Sequence, residues 1–105
     1  FPAAYGGDTT PGAGMALVAN KIRGIRAVCV ESVFAAQKAK AINDANVISM
    51  GAMIVGESMA CAMADAWLDA NFADGFEELR GFLETAREKV SEIDDANRAE
   101  PAQGK

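Results

Sequence analysis

The chain has 105 residues, 50% hydrophobic and 24% charged, which is enough for one globular domain at most. It holds no histidine and two cysteines outside any CxxC pair, which sets zinc and haem sites aside, and its apolar runs fall short of the ~20 residues that cross a bilayer. The net charge of −5 divides unevenly, about +2 over residues 1–56 and about −7 over the rest, without the dense basic stripe of a nucleic-acid binder.

The opening FPAAYGGDTTPGAG is a loop by composition, rich in proline, glycine and turn formers, and does not have the pattern of a signal peptide. GMALVANKI then places Met15, Leu17, Val18 and Ile22 at helical spacing, a short helix opened by glycine. Ile25 to Val30, bounded by Gly24 and Glu31, is a compact β-branched run and predicts a buried strand. Ser32 is the expected N-cap of an alanine-rich helix, VFAAQKAKAI, ended by Asn43 in a left-handed conformation. Val47 to Met50 predicts a second strand.

After Gly56, ESMACAMADAWLDANF repeats Met59, Met63, Ala66, Trp67 and Ala70 at steps of three and four, one packed face. That methionine-rich face serves either core packing or a partner protein. The last helix, 75–94, carries Phe76, Leu79, Phe82, Leu83, Ala86, Val90 and Ile93 on its apolar side, with Arg80 and Glu84 paired at i and i+4. Residues 95–105 are expected to be a flexible tail behind a domain spanning 1–94. Cys29 and Cys61 both lie in apolar runs, which suggests buried thiols of a cytoplasmic protein.

The order α-β-α-β-α-α has the rhythm of a parallel sheet with helical crossovers. Two strands alone make a poor parallel sheet, because such sheets need several strands and two covered faces. The expected fold is therefore a partial α/β domain, completed by more structure in the opening segment, by another chain, or by a longer protein.

Three blocks, GAGMALVANKIRGIRA (12–27), NDANVISMGAMIVG (43–56) and ADAWLDANF (64–72), resemble the ribose-5-phosphate isomerase B and galactose-6-phosphate isomerase family in order and spacing. The resemblance covers about residues 9–90. It implies a Rossmann-like three-layer parallel sheet of which the first strands, with an acidic site residue, are missing. It also implies metal-independent aldose–ketose isomerisation of a phosphorylated sugar, without a cofactor, in homodimers or larger assemblies whose sites are shared between subunits. Proton transfer through an enediolate needs a base and donors facing the developing oxyanion.

On that resemblance Gly12, Ala13, Gly14 and Met15 form the substrate-binding glycine loop, Asn43 helps hold the reactive end of the sugar, and Arg80 belongs to the phosphate clamp. By the residues alone, the loop reads first as a flexible turn before a helix, Asn43 equally as a plain helix stop, and Arg80 alternatively as only the partner of Glu84. The chain also departs from the family. Thr9 stands where the family's cysteine base lies, and a threonine is too weak an acid to replace a thiolate. Pro11 replaces a threonine, Ile42 a histidine that assists ring opening, and Met53 and Phe76 two phosphate-binding arginines. These departures imply an isomerase with an altered substrate or, alternatively, a non-catalytic relative that keeps the fold and the dimer interface.

Overall fold

A computed structural model describes residues 12–51 and 54–99. The elements are α1 (Ala13–Ala19), β1 (Ala27–Cys29), α2 (Val33–Asn43), β2 (Val47–Ser49), α3 (Glu57–Asp69), a 3-10 turn (Glu77–Leu79) and α4 (Arg80–Ala99). β1 and β2 pair in parallel, Ala27 opposite Val47 and Cys29 opposite Ser49. Among the described residues this is a partial α/β domain built on a short parallel sheet.

Side chains alternate across a strand, and β2 uses both faces. Val47 packs with Ala16 and Ala19 of α1, whereas Ile48 packs with Ala36 and Ala39 of α2 and Met63 of α3. One helix thus covers one face and two cover the other. The buried residues of α2 are all alanines, which let its backbone lie close to the sheet.

Local chemistry sets the ends of these elements. Ser32 caps α2, its hydroxyl accepting from the Ala35 N–H at 3.0 Å. The left-handed residue that stops α2 is Asp44 (φ 52°, ψ 43°), where Asn43 was expected; Asn43 is still helical. Both residue types tolerate that conformation, and the choice falls on Asp44 because its carboxylate finds partners there. Asn20 substitutes for a strand on the edge of β1: its side-chain amide donates to Ala27 O at 2.9 Å and accepts from Ala27 N–H at 2.8 Å.

Several faces differ from the helical-period expectation. Met63 is fully buried but Met59 is 45% exposed, so α3 packs through a narrower stripe. Cys61 is exposed on α3 and Cys29 half-buried, in place of two buried thiols. On α4 Leu83 is buried, while Phe82, Val90 and Ile93 are 70%, 62% and 61% exposed. α4 also continues to Ala99, past the expected boundary at Asp94, with Asp95 paired to Arg23 at 2.7 Å and Arg98 to Asp94 at 2.8 Å. No described helix is long and apolar enough to cross a membrane.

Candidate functional site

The glycine turn sits just past the C-terminal end of β2. Gly12 has φ 96°, and its carbonyl accepts from the buried Ser49 hydroxyl at 3.0 Å. A Cβ on Gly12 would lie 2.9 Å from Gly51 N and from the Met50 carbonyl carbon, so a glycine is required there. Ala13 and Gly14 are exposed and Met15 half-buried. The first helical bond of α1 is Ala16 N–H to Gly12 O, so the three N–H groups before it have no acceptor within the helix.

The polar corner lies at the other end of the same strand. Asn46 side-chain atoms accept from Arg26 N–H at 2.7 Å and donate to Gly24 O at 2.8 Å, tying the start of β2 to the start of β1. Asp44 accepts from Arg87 at 2.6 Å and from Arg26 at 3.4 Å through its carboxylate, and its carbonyl accepts from Arg26 Nε at 2.7 Å. The Trp67 indole N–H donates to Ala45 O at 3.1 Å. Asn43 is exposed, and its side chain makes no hydrogen bond to any described residue. The work of stopping the helix and fastening the corner is done by Asp44, Asn46 and Arg26.

From Asn46 to Met50 the chain advances four residues along the strand direction, roughly 13 Å at strand rise. The glycine turn and the Asn43 corner therefore occupy opposite ends of β2, and one copy of this chain does not bring them together. Arg80 opens α4, pairs with Glu84 at 3.4 Å, and lies 5.5 Å from the centroid of the Phe72 ring. Arg87 shares that ring at 4.7 Å while holding Asp44, so Asn43 and Arg80 are linked through Asp44, Arg87 and Phe72. Arg87 was missed in the sequence, where its spacing of seven from Arg80 offered no motif. Thr9, Pro11 and Met53, singled out in the sequence, lie outside the described residues.

Between α4 and the outer side of β1 runs an open, mostly apolar groove of about 580 Å³, flanked by Ile25, Val28, Ile42, Phe82, Val90 and Ile93. Asn43 and Arg87 line the same groove. Among the described residues, no three histidine, cysteine, aspartate or glutamate side chains are grouped to hold a metal ion.

Residues 9–81 match the family model described as Ribose/Galactose Isomerase. The chain is 45% identical over 86 residues to a 4-deoxy-4-sulfo-D-erythrose isomerase of Clostridium sp. (strain MSTE9), covering 81% of this chain and 54% of that protein. It is 40% identical over 87 residues to the ribose-5-P isomerase B of Listeria innocua, covering 83% and 55% respectively. In three dimensions it is similar to the ribose-5-phosphate isomerase B of Clostridium thermocellum, with a TM-score of 0.72 and 32% identity over 80% of this chain and 53% of that one. The chain thus spans about half the length of the relatives it matches. The family model matches most of the chain's length, its fold is similar to that of a ribose-5-phosphate isomerase B, and the chain belongs to the ribose/galactose isomerase family.

Proposed function

We propose that this chain supplies two half-sites of an aldose–ketose isomerase acting on a short sugar with a terminal anionic group, and that a second copy completes each site. The observation that carries this reading is Asn43. It stands exposed on a firmly braced corner, yet its side chain has no hydrogen-bond partner among the described residues, so the amide is left to donate to a ligand. A residue retained only to end the helix would take the left-handed position, which Asp44 occupies.

The chemistry follows from the two ends of β2. Isomerisation moves a proton between adjacent carbons, and negative charge develops on the carbonyl oxygen in the enediolate. N–H groups of Ala13, Gly14 and Met15 at the start of α1 suit anionic oxygen, and the amide of Asn43 from the second copy suits the reactive end of the sugar. Arg80 and its surroundings suit the anionic end. Neither half is sufficient, because the strand holds the two about 13 Å apart along its length. The exposed Phe82, Val90 and Ile93 beside the groove offer the apolar area that a dimer would bury. The base comes from residues other than those described.

The test is solution mass together with the melting temperature, with and without a panel of tetrose, pentose and hexose phosphates. A dimer whose melting temperature rises with one sugar phosphate, in the wild type but not in an equally stable Asn43→Asp variant, supports the reading. Phe76, in the place of a clamp arginine, favours the second reading of a non-catalytic subunit; a stable dimer indifferent to every sugar phosphate would select it.

A further inference from the structure

We infer that Lys38 supplies a cation of the anion-binding end of the site, resting on the isomerase reading above and naming the residue that, with Arg80, receives the phosphoryl or sulfonyl terminus of the sugar. Five cations among the described residues are half-buried: Arg26, Lys38, Lys40, Arg87 and Arg98. Four of them have oxygen partners. Arg26 and Arg87 hold Asp44, Arg98 holds Asp94, and the Lys40 ammonium donates to Ala70 O at 3.5 Å. Among the described residues Lys38 has rings and no oxygen partner: its ammonium lies 5.3 Å from the centroid of Phe34 and 5.1 Å from that of Phe76.

Aromatic faces compensate part of the lost hydration of an ammonium but give its N–H groups no oxygen. An oxyanion arriving at Lys38 meets a positive charge already held in place by two rings. The carboxylates of the adjoining turn are engaged elsewhere. Asp74 accepts from the Asn71 N–H at 2.7 Å, and Glu77 accepts from the Gly75 N–H at 3.1 Å.

The turn 71–76 is rigidly placed. Ala73 is buried and held at φ 70°, with its N–H donating to Ala41 O at 2.8 Å, a strained conformation of the kind that clusters at ligand sites. The Lys38 ammonium sits 4.0 Å from where a Cβ on Gly75 would lie. Phe72 and Phe76 belong to this turn, one carrying Arg80 and the other Lys38. Each cation, Lys38 from α2 and Arg80 from α4, thus packs on a different ring of the same turn. An arginine at position 76 would place its charge on the same turn, so Lys38 on Phe76 relocates a positive charge and does not abolish it.

The experiment titrates the full chain with inorganic phosphate, methanesulfonate and erythrose 4-phosphate, following the Gly75 amide by NMR. The variants are Lys38→Met, Lys38→Arg, and Lys21→Met as an exposed-lysine control. Lys38→Met is expected to weaken phosphate and sugar phosphate about tenfold, Lys38→Arg to retain most of the affinity, and Lys21→Met to change nothing, since a charge-assisted contact is lost only in the first. Equal affinity in Lys38→Met and wild type, or an equal loss in Lys21→Met, overturns the inference. Sugar phosphate binding that is untouched by Lys38→Met leaves the isomerase reading standing and removes this one. Phosphate binding that needs Lys38, without any preference for the sugar, removes the isomerase reading and with it the assignment of Lys38 to a sugar terminus, and a chain that binds no anion overturns both. Methanesulfonate bound in place of phosphate assigns the subsite to sulfonates.

Discussion

Replacing Gly12, Gly24 and Gly56 by alanine, one at a time, separates two physical costs that coincide only at the first. A Cβ at Gly56 meets nothing within 4 Å, and its φ of −75° suits any residue, so Gly56→Ala adds neither strain nor overpacking. It should cost at most about 1 kcal/mol, because alanine is a poorer N-cap of α3 than glycine. Gly24 also has open space around it but sits at φ 86°, so Gly24→Ala isolates the left-handed strain of about 1 kcal/mol. Gly12 combines φ 96° with backbone atoms at 2.9 Å that have no flexible side chain to yield. Forcing Met50–Gly51 away from α1 adds about 1–3 kcal/mol of overpacking to the strain, for a total of about 2–4 kcal/mol. Urea unfolding followed by far-UV circular dichroism measures all three on one scale, with slopes compared to verify that the same surface unfolds. The reasoning fails if Gly12→Ala costs no more than Gly24→Ala. The start of α1 would then not be pressed against the end of β2, and the placing of the glycine turn would need another cause.

The Arg87–Asp44 pair is partly buried, with side chains 33% and 23% exposed, so a double-mutant cycle of Arg87→Met and Asp44→Asn should return a coupling of about 1 kcal/mol; a coupling near zero means the 2.6 Å contact contributes nothing. Met63→Ala should cost about 2–5 kcal/mol in the same unfolding assay, because the side chain is fully buried between α3 and the sheet. Ser32→Ala removes the side-chain N-cap of α2 and should cost about 1 kcal/mol, whereas Ser32→Asp should restore most of it. Phe82→Ser with Ile93→Ser should halve the solution mass of a dimer while leaving helical content unchanged, since both side chains are already exposed in one copy; an unchanged mass would show that this face is not the interface.

Local pattern alone settled the element types. Three-to-four spacing marked α3 and α4, β-branched runs marked β1 and β2, and Ser32 announced its helix, because these signals depend on neighbours a few residues apart. The three family blocks likewise lay open in the chain, and the family model matches across them. What position along the chain does not encode is which of several competent residues meets a partner from elsewhere. Asn43 and Asp44 both tolerate a left-handed stop; only the arrival of Arg26 and Arg87 decides for Asp44 and releases Asn43. The apolar stripe of α4 looks from its period like core, but a helix buries only the part of a stripe that something covers, so Leu83 is buried and Phe82, Val90 and Ile93 are not. Lys38 reads as a solvated helix lysine until the turn 71–76 folds back over it and puts Phe76 beside its ammonium. The two ends of the candidate site are separated for the same reason: a parallel strand has direction, and tertiary packing put Gly12 at one end of β2 and Asn43 at the other.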